Sequence, residues 1–202
     1  MDAGRGRLFT VGSNKQLHAF DKQTGEVLWS HDLVADFDAP PTLIRPAVKA
    51  GYAASPTAYQ GLVIVTAGGP GQSVMAFRQD DGALVWRSGS FLISPATPIL
   101  VDVDGQIQLI VYGGRTINVK TGEAAWRERG YGRSSLVYAD GKAIILSEDG
   151  TLMLATLSPD GFTMLSAVAL FDTIAWTAPT LVGTTLYVRD RARIMALDLG
   201  GN

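Results

Sequence analysis

The chain has 202 residues, of which 47% are hydrophobic and 18% charged, and its net charge is −2. That balance suits a globular chain with a sizeable core and excludes a disordered one. It also leaves nothing global to attract nucleic acid or anionic lipid. There is no cysteine, which excludes a disulfide framework, a zinc–thiolate site and a cysteine nucleophile. The opening residues Met1–Arg7 (MDAGRGR) contain no apolar h-region, so no signal peptide is expected within the chain. No apolar run reaches the roughly 18 residues of a membrane span.

In chain order the predicted elements are short strands separated by turns. Arg7–Val11, Gln16–Phe20 and Glu26–Ser30 come first, followed by a long connection, Asp32–Tyr52. A fuller unit then starts at Ser55-Pro56-Thr57-Ala58-Tyr59 and turns at Gln60-Gly61. It continues as Leu62–Ala67, Ser73–Phe77 and Ala83–Arg87. The next unit starts at Ala96-Thr97-Pro98, turns at Asp102–Gly105 and runs on through Ile107–Tyr112. A third starts at Ser134-Ser135, turns at Asp140-Gly141 and continues at Lys142–Leu146. The last starts at Ala178-Pro179, turns at Val182-Gly183, and ends with Thr185–Val188 and Arg193–Leu199. The central runs are β-branched, apolar and too short for helices.

One stretch organises this pattern. Ala19–Trp29 (AFDKQTGEVLW) recurs as Ala76–Trp86, Thr116–Trp126 and Ala155–Leu165, and a fifth copy begins at Ala196. The copies align without gaps on Gly25, Gly82, Gly122 and Gly161. Trp86 and Trp126 are 40 residues apart, whereas the interval from Trp29 to Trp86 carries about 17 more. A period near 40 fits either a four-stranded propeller blade or a helical HEAT or armadillo repeat, and the strand pattern selects the blade. The fold expected is all-β, a β-propeller of four-stranded antiparallel blades. The first unit lacks its A strand and the last its D strand, so the chain holds about four and a half blades. Its ends predict an incomplete propeller of 7–8 blades, a fragment truncated at both ends; the alternative is a five-bladed ring. Within the single domain 1–202 the divisions are a partial blade at 7–30, an insertion loop at 32–52, full blades at 53–88, 94–128 and 133–168, and a partial blade at 176–199.

Ala19, Asp21, Thr24, Gly25 and Trp29 form the pattern A-x-D-x-x-T-G-x-x-x-W, which resembles the tryptophan docking motif of the PQQ-like (quinoprotein-type) β-propeller repeat family. That family contains both quinoprotein dehydrogenases and BamB-like proteins. Ala76, Gly82 and Trp86, then Asn118, Thr121, Gly122 and Trp126, match in part, as do Ala155 and Gly161. The resemblance spans about Leu8 to Leu199 and implies that each tryptophan packs across a blade junction. A large aromatic just after each turn suits such burial. Leu165 replaces the tryptophan in the fourth copy, so its junction is expected to be weaker or differently packed.

The catalytic branch of the family requires an oxygen-ligated Ca²⁺ that polarises PQQ, and a carboxylate base. Many of its members also carry a vicinal disulfide, which a cysteine-free chain lacks, and no match to the family's metal-ligand segments stands out. The expectation is therefore a chain without catalytic, cofactor-binding or metal residues, a BamB-like non-catalytic protein-binding scaffold. The alternative is a fragment of a PQQ-dependent alcohol or sugar dehydrogenase, which would need PQQ and Ca²⁺. Asp102-Val103-Asp104-Gly105 has D-x-D-G spacing but reads as turn chemistry, with a peripheral Ca²⁺ site as the other possibility. His18 and His31 read as structural or solvated, His31 lying just beyond a D strand. No G-x-S-x-G elbow is present, and Gly130-Tyr131-Gly132 precedes no helix, so hydrolase and dinucleotide-binding readings have no support.

In an up-and-down blade the B–C loops and D–A connections emerge at one end, and the A–B and C–D turns at the other. The first end carries the long insertion, Gly68–Gln72 and the Arg-rich stretch Arg127–Arg133. Loops on a rigid scaffold are where binding resides. Arg45, Arg115, Arg129, Tyr131, Arg133 and Arg191 are the expected contacts for a protein or peptide, because Arg and Tyr dominate interface energetics. The family resemblance implies a periplasmic or cell-envelope setting.

Overall fold

The structure, a computed structural model, describes residues 6–41, 52–91, 96–111, 115–127 and 134–200. Its strands form five antiparallel sheets, each in chain order. The first comprises β1 (Arg7–Val11), β2 (Gln16–Asp21) and β3 (Val27–Asp32). A short helix, α1 (Leu33–Phe37), follows. The second sheet comprises β4 (Thr57–Tyr59), β5 (Leu62–Val65), β6 (Val74–Arg78) and β7 (Leu84–Ser88), and the third β8 (Ile99–Val103), β9 (Gln106–Val111), β10 (Arg115–Asn118) and β11 (Ala124–Arg127). The fourth has β12 (Ser134–Ala139), β13 (Lys142–Ser147), β14 (Thr151–Ser158) and β15 (Gly161–Ala169), and the fifth β16 (Thr180–Val182), β17 (Thr185–Arg189) and β18 (Ile194–Asp198). This is the all-β, blade-by-blade pattern expected from the repeats, with three strands in the first and last sheets.

Two compact units are distinguishable, Met1–Leu100 with Ile117–Ala124, and Val101–Thr116 with Ala125–Asn202. The core of the first gathers Leu17, Val63, Val65, Met75 and Phe77 with Leu33 and Ala39, flanked by Phe9, Val11, Trp29 and Phe37. Phe77 is fully buried, a burial worth about 1.5–3 kcal/mol. His31 stacks on it at 5.0 Å, and Phe37 meets it edge-on at 5.5 Å. The second unit has an aliphatic core of Ile144, Leu146, Leu186 and Val188 closed by Phe171 and Ala175. A smaller cluster sets Met153 and Ile145 against Leu136, Tyr138 and Phe162.

The recurring turn has a common construction. In Asp21–Glu26 the Asp21 carboxylate accepts from the amides of Gln23 and Thr24, and the Thr24 hydroxyl accepts from Glu26 N–H. Asn118 and Thr121 repeat the device in the third sheet. In the second sheet Arg78 stands where these turns have Asp or Asn, and its guanidinium instead clasps Asp81. That pairing lowers the Asp81 carboxyl to about 2, the hydrogen bonds from Arg78 being the main cause. The glycines close the turns at φ +76°, +73° and +76° for Gly25, Gly82 and Gly122, a region that disfavours any Cβ.

Four expectations need correction. Residues 32–52 are not loop throughout: Asp32 caps α1 by accepting from Val34 and Ala35 amides, and Asp38 ends it in the left-handed region. His31 lies within β3 rather than beyond it. Arg115 begins β10 and is half-buried, not part of an open loop. Gly161 is not the counterpart of the other turn glycines. It has no positive φ and pairs with Ser158 across a two-residue hairpin. The bulge that follows Ala19 and Ala76 in their ladders falls before Ala155 in the fourth copy. Leu165 is thereby left unpaired opposite Leu154–Ala155, with half its surface exposed.

Candidate functional site: the loop ends of the sheets

At the loop end of the first unit, a buried lysine holds the connection after β3 in place. Lys15 sits at φ +64° in the β1–β2 loop. Its Nζ donates to the carbonyls of Pro40 and Ala67, the latter at 2.7 Å. Its own carbonyl accepts from Leu33 N–H. Burial pulls the ammonium down to about 8, because desolvation penalises the charged form. Beside this anchor, a cavity of about 380 Å³ lies between α1 and the loop after β5, lined by Asp36, Phe37, Asp38, Pro70, Gln72 and Arg87. The Gln72 amide donates to the Phe37 carbonyl, and its oxygen faces Arg87 Nη1 at 3.5 Å.

The second unit presents an aromatic–cation cluster at its loop end. Trp176, in the connection between β15 and β16, is 56% exposed. Its Nε1–H donates to Glu148 Oε2 at 3.1 Å, and the Arg191 guanidinium lies 4.8 Å above the indole. The adjoining loop is held by hydrogen bonds to Asp190. Asp190 accepts from the Thr173 hydroxyl at 2.6 Å and from the Ala192 and Arg193 amides. These bonds, the Thr173 hydroxyl first, lower its carboxyl from the usual value. Arg193 covers Phe171 and pairs with Asp172 at 3.6 Å. An exposed tryptophan braced by an arginine on a pinned loop is the composition of an interface anchor.

Of the residues expected at a partner surface, Arg191 is thus exposed at this cluster. Arg115 is half-buried, its pKa lowered by burial and then by nearby Arg127. Arg45, Arg129, Tyr131 and Arg133 lie outside the described residues. Trp176 was missed because it stands outside the repeat and has no periodic signal. Among the described residues no three His, Asp or Glu side chains gather to hold a metal ion.

At the opposite ends, the tryptophans meet the turns within the first unit. Trp29 Nε1 donates to the Gln79 carbonyl at 2.9 Å, and a Cβ on Gly82 would fall 2.7 Å from its ring. Trp86 Nε1 donates to Val119 O at 3.0 Å, and a Cβ on Gly122 would fall 2.6 Å away. In the second unit Trp126 faces Phe162 at 6.3 Å, and its Nε1 has no partner among the described residues.

Sheets of this kind, repeated with a tryptophan and a glycine turn, define a β-propeller of the PQQ-like repeat type. The chain belongs to the family described as outer membrane protein assembly factor BamB, which matches residues 2–201. BamB of Yersinia pestis is 25% identical over 189 residues, covering 88% of this chain and 44% of that protein. The crystal structure of BamB from Moraxella catarrhalis matches with a TM-score of 0.62 at 16% identity, over 95% of this chain and 53% of that one. The computationally designed Ika8 protein matches with a TM-score of 0.66 at 11% identity, over 96% and 55% respectively. The chain thus spans about half the length of these relatives.

Proposed function

We propose that the chain is a non-catalytic protein-binding scaffold of the cell envelope, on the periplasmic side, that serves outer-membrane protein assembly. Family membership supports the setting. The single structural observation that carries the binding role is the exposed Trp176–Arg191 pair on a loop held by Asp190. The bound partner is a protein or peptide, not nucleic acid, and the scaffold needs no cofactor. A photo-crosslinking side chain placed at Trp176 or Arg191 should yield adducts with outer-membrane assembly polypeptides in intact envelopes. One at Lys120, on a C–D turn, should not. Equal adducts from all three positions, or none from Trp176 and Arg191, would contradict the reading. Dye reduction with alcohols in the presence of PQQ and Ca²⁺ should stay at the no-cofactor level; reduction above it would favour the dehydrogenase alternative.

A further inference from the structure

The cavity between α1 and the loop after β5 is lined by charges of both signs that do not meet. Asp36 and Asp38 stand on its α1 side, Arg87 of β7 lines it as well, and its volume is about 380 Å³. Pockets for small molecules run from roughly 300 to 1,000 Å³, so this one suits a small ligand. Neither carboxylate forms an ion pair with Arg87. Asp36 is engaged elsewhere: its Oδ2 accepts from Asp32 N–H at 3.0 Å and lies 3.5 Å from His31 Nδ1. The exposed Asp38 side chain has no hydrogen bond or ion pair among the described residues. The Arg87 side chain makes one hydrogen bond there, from Nη1 to the Gln72 carboxamide oxygen at 3.5 Å. A guanidinium carries five N–H donors, so most of its capacity is left for a ligand.

The walls of this cavity are fixed by bonds of their own. Asp32 caps α1, and Asp38 ends it at φ +54° with its N–H on the Leu33 carbonyl. Gln72 is only 5% exposed, and its amide nitrogen donates to the Phe37 carbonyl, which ties the loop to the helix. Its oxygen is thereby left to face Arg87. Lys15 ties the same two segments together through the carbonyls of Pro40 and Ala67. Gly69 permits their close approach, since a Cβ there would fall 3.2 Å from Pro40 Cδ and 3.3 Å from Gln72 Nε2. On the far side of the loop, Gly71 N–H donates to Ser90 Oγ. A site held in this way loses little conformational freedom on binding.

We infer that this cavity binds a small zwitterion of dipeptide size, with a free ammonium at one end and a free carboxylate at the other. The ammonium pairs with Asp38 and the carboxylate with Arg87, while Phe37 and Pro70 supply apolar contact. Charge balance is the reason. A simple anion would meet two carboxylates and a simple cation would meet the guanidinium, whereas a zwitterion makes a charge-assisted hydrogen bond with each sign. Length is the second reason. Two residues of extended chain span about 7 Å, which bridges charges that stand too far apart to pair with each other. The site rests on its own residues and does not depend on the Trp176 cluster.

The test is NMR titration of the full chain with three ligands: glycyl-leucine, its N-acetyl form and its C-terminal amide. Glycyl-leucine should shift the backbone amides of Asp38, Gly71 and Gln72 in a saturable way. Each capped form should bind about tenfold more weakly, because one charge-assisted pair is lost. Two variants separate the ends. Arg87→Met should weaken glycyl-leucine and the acetylated form about tenfold and leave the amide unchanged. Asp38→Asn keeps a residue type that tolerates a left-handed φ. It should weaken glycyl-leucine and the amide while leaving the acetylated form unchanged. If a variant does not fold, the three ligands on the unaltered chain decide alone. The absence of a saturable shift would overturn the proposal. So would a capped form that binds as tightly as glycyl-leucine, which would assign the cavity to a simple anion or cation. Folded variants that weaken all three ligands equally, or none, would overturn it as well.

Discussion

The junctions of the two units solve the same packing problem with different chemistry. In the first, Trp29 and Trp86 each lie on a glycine turn and bond to a backbone carbonyl. In the second, Trp126 faces Phe162 with its N–H unpartnered among the described residues. The cause is one turn. Pro159-Asp160 closes a two-residue hairpin in which Gly161 pairs with Ser158. There is no left-handed glycine to receive the indole and no carbonyl three residues before one. The difference shows that the tryptophan is only half of the device; the turn that accepts it is the other half.

The largest expected effect follows directly. Trp29→Ala and Trp86→Ala should each cost about 3–5 kcal/mol in chemical denaturation, the range for deleting a packed large aromatic. Near-wild-type stability of both would show that these indoles do not hold the sheets together. A finer contrast comes from phenylalanine. Trp86→Phe keeps an aromatic ring but leaves the buried Val119 carbonyl without its indole donor, costing about 1–3 kcal/mol. Trp126→Phe removes an N–H that bonds to nothing described, so its unfolding free energy should change by less than about 1 kcal/mol. Equal losses would erase the distinction between the units.

A smaller effect is specific to the first unit. Burial lowers Lys15 from 10.5 to about 8. Between those values the unfolded chain binds more protons than the folded one, so stability should rise with pH across that window. Lys15→Met should flatten the rise between pH 8 and 10.5 in denaturant titrations. A slope unchanged by the substitution would remove Lys15 as its source.

Much of this fold was legible in the residues because both of its signals are local. Short, β-branched apolar runs locate β5 and β17 to within a residue or two, and the recurring glycine marks the turn before each outer strand. The failures are local too. Five residues give α1 no periodicity; only Asp32 before Leu33 signals it, through its capping carboxylate. Gly161 matches the repeat by letter, but its conformation is decided by Pro159-Asp160, and the bulge moves with it. The candidate site was less legible. Arg191 stood out as a loop cation, but its meaning depends on Trp176 and Glu148, which are distant in sequence and joined only by folding.

The most direct test compares Gly82→Ala with Gly25→Ala in urea denaturation. The two glycines share turn and φ and differ in whether an indole lies above them. Gly25→Ala should cost about 1–2 kcal/mol, the strain of a left-handed Cβ. Gly82→Ala should cost that and substantially more, because its Cβ would meet Trp29 at 2.7 Å. Equal losses at the two glycines would contradict the account.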